Sequence, residues 1–101
     1  MIDKATAIPT IMNKLKKLQP GHAIDLRTYK RNRSVVIARI NDDEFDVVEH
    51  GFAQERFTVS LDKMKKLLKN LIKREFPRST KIRLYDLGEA EADIHIARKK
   101  I

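Results

Sequence analysis

The chain has 101 residues, 42% of them hydrophobic and 36% charged, with no cysteine and no tryptophan. Lysine and arginine number 22 against 14 aspartates and glutamates, a formal charge of +8. This length supports one domain with a real core rather than two, and the missing cysteine excludes a disulfide, a thiolate nucleophile and any Cys-ligated metal site. No apolar run approaches the ~18 residues of a membrane span. The opening Met-Ile-Asp-Lys-Ala-Thr lacks the charged-then-apolar order of a signal peptide. The expectation is a single small basic domain spanning residues 1–101, soluble and cytoplasmic, with no membrane partner.

In chain order, residues 6–18 are predicted to form a helix, because Ile8, Ile11, Met12, Leu15 and Leu18 recur at spacings of three and four. Pro9 fits its first turn, where amides have no intrahelical partner, and Gln19-Pro20-Gly21 stops it. Four strands follow. Residues 23–29 alternate Ile24 and Leu26 with Asp25 and Arg27; residues 34–40 are β-branched and apolar on both faces. Residues 44–50 set Phe45 and Val47 opposite Asp46 and Val48, and residues 53–59 put Phe57 and Val59 on one side. The turns Lys30-Arg31-Asn32-Arg33 and Asn41-Asp42-Asp43 and the bend at Gly51 are short, which favours an antiparallel meander.

Residues 61–76 carry a wide apolar stripe of Leu61, Met64, Leu67, Leu68, Leu71, Ile72 and Phe76. Ser60 is expected at the N-cap, Asp62 suits the first turn, and Pro77 ends the helix. Residues 81–87 read as a strand. Gly88-Glu89 is expected to turn into another, since Ala90, Ala92, Ile94 and Ile96 alternate, although Glu-Ala-Glu-Ala is also helix-prone.

The predicted fold class is α+β: helix, four-stranded antiparallel meander, helix, then one or two strands. It is expected to form a two-layer sandwich with both helices on one sheet face. The inward set is expected to be Ile24, Leu26, Val36, Ala38, Ile40, Phe45, Val47, Phe57 and Val59. The outer face would then present Arg27, Tyr29, Val35, Ile37, Arg39 and Val48, with Arg83 and Tyr85 from the tail.

The net charge is unevenly distributed. Residues 1–40 carry +7, residues 41–62 carry −6, residues 63–83 carry +8 and residues 84–101 carry −1. Either the acidic block folds against a basic one and neutralises it, or the molecule has a bipolar surface with one face attracting a polyanion.

Catalytic signatures are absent from the sequence. There is neither a Gly-rich nucleotide fingerprint nor a P-loop, and His22, His50 and His95 have no metal-type spacing. Folding could bring His50 near Glu49 or Glu55. Ser34, Ser60 and Ser79 lie in turn or cap contexts, and Asp42-Asp43-Glu44-Phe45-Asp46 lacks the glycine of a calcium loop. The chain is therefore expected to be no enzyme and to need no cofactor.

Two surfaces remain as candidates. One is a basic set for nucleic acid or an acidic protein partner: Arg31 and Arg33 in the turn, Lys65, Lys69, Lys73 and Arg74 on the second helix, and Arg78 in its exit loop, with Lys63, Lys66 and Lys81 nearby. Lys65, Lys69 and Lys73 are four apart and form one stripe, able to neutralise phosphates along a backbone. The bland alternative is that these lysines only solubilise an amphipathic helix. The other surface is the outer sheet face, where Tyr29, Val35, Ile37 and Arg39 would suit a homodimer or other protein interface.

Overall fold

A computed structural model of the protein describes residues 2–28, 33–51, 54–77 and 81–89. Two helices form where the apolar period is that of a helix: α1, Ala7–Lys17, and α2, Leu61–Glu75. The strands are β1 (Ile2–Asp3), β2 (His22–Arg27), β3 (Ser34–Arg39), β4 (Glu44–His50), β5 (Gln54–Ser60) and β6 (Lys81–Glu89), and a single 3₁₀ turn over Lys4–Thr6 leads into α1. The class is α+β, with two helices and a six-stranded antiparallel sheet in the order β1-β6-β2-β3-β4-β5.

Strands β2 to β5 are neighbours in sequence and in space, which is the expected meander. β6 crosses back to pair with β2, and the short β1 adds at its far side. β6 does not turn at Gly88-Glu89; it continues to Glu89, and Gly88 (φ +67°) lies where the β2–β6 register shifts between Ala23 and Ile24. A bulge at a glycine in the left-handed region accounts for this continuation. The further strand expected through Ala90–Ile96 lies outside the described residues. Ser60 does precede α2, in extended backbone, but its hydroxyl makes no capping hydrogen bond. Among the described residues, no helix is long and apolar enough to cross a membrane.

The register decides which side chains share a face. Ile24 stands opposite Ile37, Ile37 opposite Val47, and Val47 opposite Phe57. Ile24, Ile37 and Val47 belong to one large core cluster, with the partly buried Phe57 packed against it; α1 contributes Ile11 and Leu15 and α2 contributes Met64, Leu68 and Leu71, all buried. Burying each such side chain contributes roughly 1.5–3 kcal/mol.

One expectation is corrected here. In β3 it is Val35 and Ile37 that join this core, both with no exposed surface. Val36 and Ala38 alternate to the other side, where they cluster with Ala23 and Val48, and Ile40 is half exposed. The run Val35-Val36-Ile37-Ala38 is apolar at every position, so alternation alone leaves its facing open, and pairing with Ile24 and Val47 sets it.

Candidate functional site

The period of α2 turns Met64, Leu68, Leu71, Ile72 and Glu75 inward and leaves Lys63, Lys65, Lys66, Lys69 and Lys73 exposed. Successive members of the stripe Lys65, Lys69 and Lys73 lie about 6 Å apart along the axis. On α1, Lys16 and Lys17 are likewise exposed. Among the described residues, none of these seven lysines has an ion-pair partner. Lys14 is tied to Asp86 (2.8 Å), and Lys81 to Asp3 (2.9 Å). The two helices contain two carboxylates in all, and one of them, Glu75, is buried, so Asp62 alone offsets the lysines in the exposed helical surface.

The arginines behave differently. Arg74 lies against the buried Glu49 carboxylate, with Nε donating to Oε2 (2.8 Å) and Nη2 to Oε1 (2.5 Å), and it reaches Glu55 at 3.5 Å. Arg33 donates from Nη1 to the Glu75 carbonyl (3.3 Å), and its Nε stands 4.0 Å from the Glu75 carboxylate. Both guanidiniums are thus already paired, each compensating a carboxylate taken out of water. Arg31 and Arg78 lie outside the described residues.

Glu49 and Glu75 are the residues that sequence reasoning passed over. Desolvation pushes the Glu49 carboxyl above the usual range; Arg74 pulls it down and Glu75 pushes it up again. Donating to the Glu49 carboxylate in turn holds Arg74 all the more firmly protonated. A signal for both carboxylates was available. Glu49 has the same parity in β4 as Phe45 and Val47, and Glu75 falls three and four residues after Ile72 and Leu71 on the apolar stripe. His50 does not join Glu49, since consecutive strand residues point to opposite faces.

The interface expected at Tyr29, Val35, Ile37 and Arg39 does not form as a surface. Tyr29 lies outside the described residues, and Val35 and Ile37 are core. Arg39 is committed on the helix side: Nη1 donates to the Leu18 carbonyl (2.7 Å), Nη2 to the Asp42 carbonyl (2.6 Å) and Nε to the Asn41 carbonyl (3.1 Å), while the guanidinium stacks 5.2 Å from the Phe45 ring centre. It thus closes the end of α1 and fastens the β3–β4 turn.

The acidic block is accounted for locally. Asp46 pairs with Arg56 from the adjoining strand, Glu49 and Glu55 with Arg74, and Asp42, Asp43 and Glu44 stay exposed in a turn organised by Asn41, whose Oδ1 accepts from the amides of Asp43 (2.9 Å) and Glu44 (3.0 Å). The acidic segment therefore takes up one cation of α2 and leaves its lysines.

Compared with known proteins, the chain matches no family model, no curated protein and no solved structure.

Proposed function

We propose that this protein is a non-enzymatic module that binds nucleic acid through the phosphate backbone, using the exposed lysines of α2. In this reading it is a two-layer sandwich in which both helices cover one face of the sheet, supported by their shared core cluster, and their outer sides form the binding surface. Lys65, Lys69 and Lys73 supply the central stripe, flanked by Lys63 and Lys66, and Lys16 and Lys17 extend the positive field onto α1.

The observation that carries this reading is the set of exposed α2 lysines without ion-pair partners among the described residues, although a block of net −6 lies in the same chain. Fold stability gives no account of Lys63 and Lys65. Both sit in the first turns of α2, where the helix dipole disfavours cations. Seven exposed lysines, beside Arg33 and Arg74 that are already paired with carboxylates, suit contacts to phosphate as point charges rather than the bidentate reading of guanine that arginine performs. Binding is therefore expected to be strong at low salt, weak at high salt and indifferent to base sequence.

Titration of labelled duplex and single-stranded RNA and DNA at two salt concentrations tests it. Micromolar binding at low salt that weakens at the higher concentration is expected; no micromolar binding at low salt to any of the four overturns the reading.

A further inference from the structure

The sheet face opposite the helices carries an apolar cluster of its own. Ala23 of β2, Val36 and Ala38 of β3 and Val48 of β4 form it, with Leu87 of β6 packed against them. Among the described residues, strand residues alone make up this cluster. Even so, Ala23 and Val36 have no exposed surface, and Ala38 and Val48 keep only 6% and 5%. The direct ladder neighbours do not roof Ala23. It stands between Ala38 across one ladder and Gly88 across the other, and neither has a side chain longer than a methyl group. An antiparallel sheet face without a cover leaves such positions open to water. The cluster is closed off within a single chain, so its cover comes from this chain and not from a second copy.

The topology points to one segment. The links 29–32, 52–53 and 78–80 join the end of the sheet where Arg27 pairs with Ser34 and with Arg83, and where His50 pairs with Gln54. Ala23 and Ala38 lie at the other end. There β6 runs out at Glu89, opposite His22 and next to the Ala23–Gly88 pair. Residues 90–101 therefore start beside the cluster, and they bring three large apolar side chains, Ile94, Ile96 and Ile101. From β2 to β4 the cluster spans two strand spacings, about 10 Å. Residues 90–101 can reach about 18 Å as a helix and about 40 Å extended, so either conformation crosses it.

We propose that residues 90–101 fold back over Ala23, Val36, Ala38 and Val48 and bury them under their isoleucines, which makes this face an intramolecular docking surface. The folded protein then offers partners its helical side, and the second sheet face opens to another molecule only when the segment is displaced. This inference is independent of the phosphate-binding reading, since it uses none of the lysines of α2.

The test is a methyl nuclear Overhauser experiment on the full chain, with isoleucine and valine methyl groups labelled. Contacts from Ile94, Ile96 or Ile101 to Val36 and Val48 are expected within one chain, and none between differently labelled copies mixed together. The full-length variant carrying Ile94→Ser, Ile96→Ser and Ile101→Ser is expected to unfold at a lower urea concentration and to bind an apolar-surface dye several-fold more strongly while folded. Absence of any contact between these isoleucines and the two valines overturns the proposal. So do contacts found between copies alone, or a variant that matches wild type in both unfolding and dye binding. The wild-type contacts decide the matter if the variant does not fold.

Discussion

Arg74 grips the buried Glu49 carboxylate with two parallel hydrogen bonds, Nε to Oε2 at 2.8 Å and Nη2 to Oε1 at 2.5 Å. Its neighbour Lys73 is exposed and has no such partner among the described residues. The two adjacent cations therefore have different tasks. Arg74→Met strands a charge in the core and is expected to destabilise the fold strongly, whereas Lys73→Ala leaves stability nearly unchanged. Arg74→Lys restores charge without the bidentate geometry and recovers part of the loss. Without Arg74 the Glu49 carboxyl titrates higher still, so the deficit is largest at alkaline pH and shrinks on acidification. Thermal unfolding of the three variants at two pH values checks this.

Gly51 is a second point of close approach. Gly51→Ala drives a methyl group against Glu75 Oε1 and the Arg33 side chain, and about 1–3 kcal/mol of destabilisation is expected from overpacking. Gly21 has open space around it and φ +87°, so Gly21→Ala meets backbone strain alone, about 1–2 kcal/mol. Addition of the Glu75→Ala change, which removes the carboxyl that the new methyl group meets, separates the two. It is expected to soften the cost at Gly51 and to leave the cost at Gly21 unaltered, as read by urea unfolding of the double variants.

The facing of β3 makes a third prediction. Ile37 has no exposed surface and Ile40 is 49% exposed. Ile37→Ala is expected to cost about 2–5 kcal/mol, and Ile40→Ala to stay within about 0.5 kcal/mol. A larger loss at Ile40 than at Ile37 would show the strand facing the other way.

The helices and the strands of the meander were legible in the sequence because each carries a period of its own. The predicted strand over 44–50 coincides with β4, and the helix predicted over 61–76 differs from α2 by one residue. The return of β6 to β2 was not legible, since nothing local to residues 81–89 names a partner strand. The parity of β3 was hidden for a related reason: Val35, Val36, Ile37 and Ala38 are apolar throughout, and only Ile24 and Val47 across the ladder choose between them. In the candidate site the exposure of Lys65, Lys69 and Lys73 follows directly from the apolar stripe of α2. Arg74 borders that stripe, and its fate depended on a carboxylate 25 residues away. Glu49 was read by its charge when its parity with Phe45 and Val47 already turned it inward.

The central claim is that α2 lysines bind a phosphate backbone, and the salt dependence of that binding tests it most directly. The measurement is the slope of log K against log salt for a duplex, taken for wild type and for the variant carrying Lys65→Gln, Lys69→Gln and Lys73→Gln together. Each phosphate contact contributes about 0.9 to the slope, so the triple variant is expected to bind more weakly with a slope smaller by about 2–3 while unfolding at the wild-type temperature. A duplex affinity that does not depend on salt, or a triple variant whose slope and affinity equal those of wild type, would contradict the account.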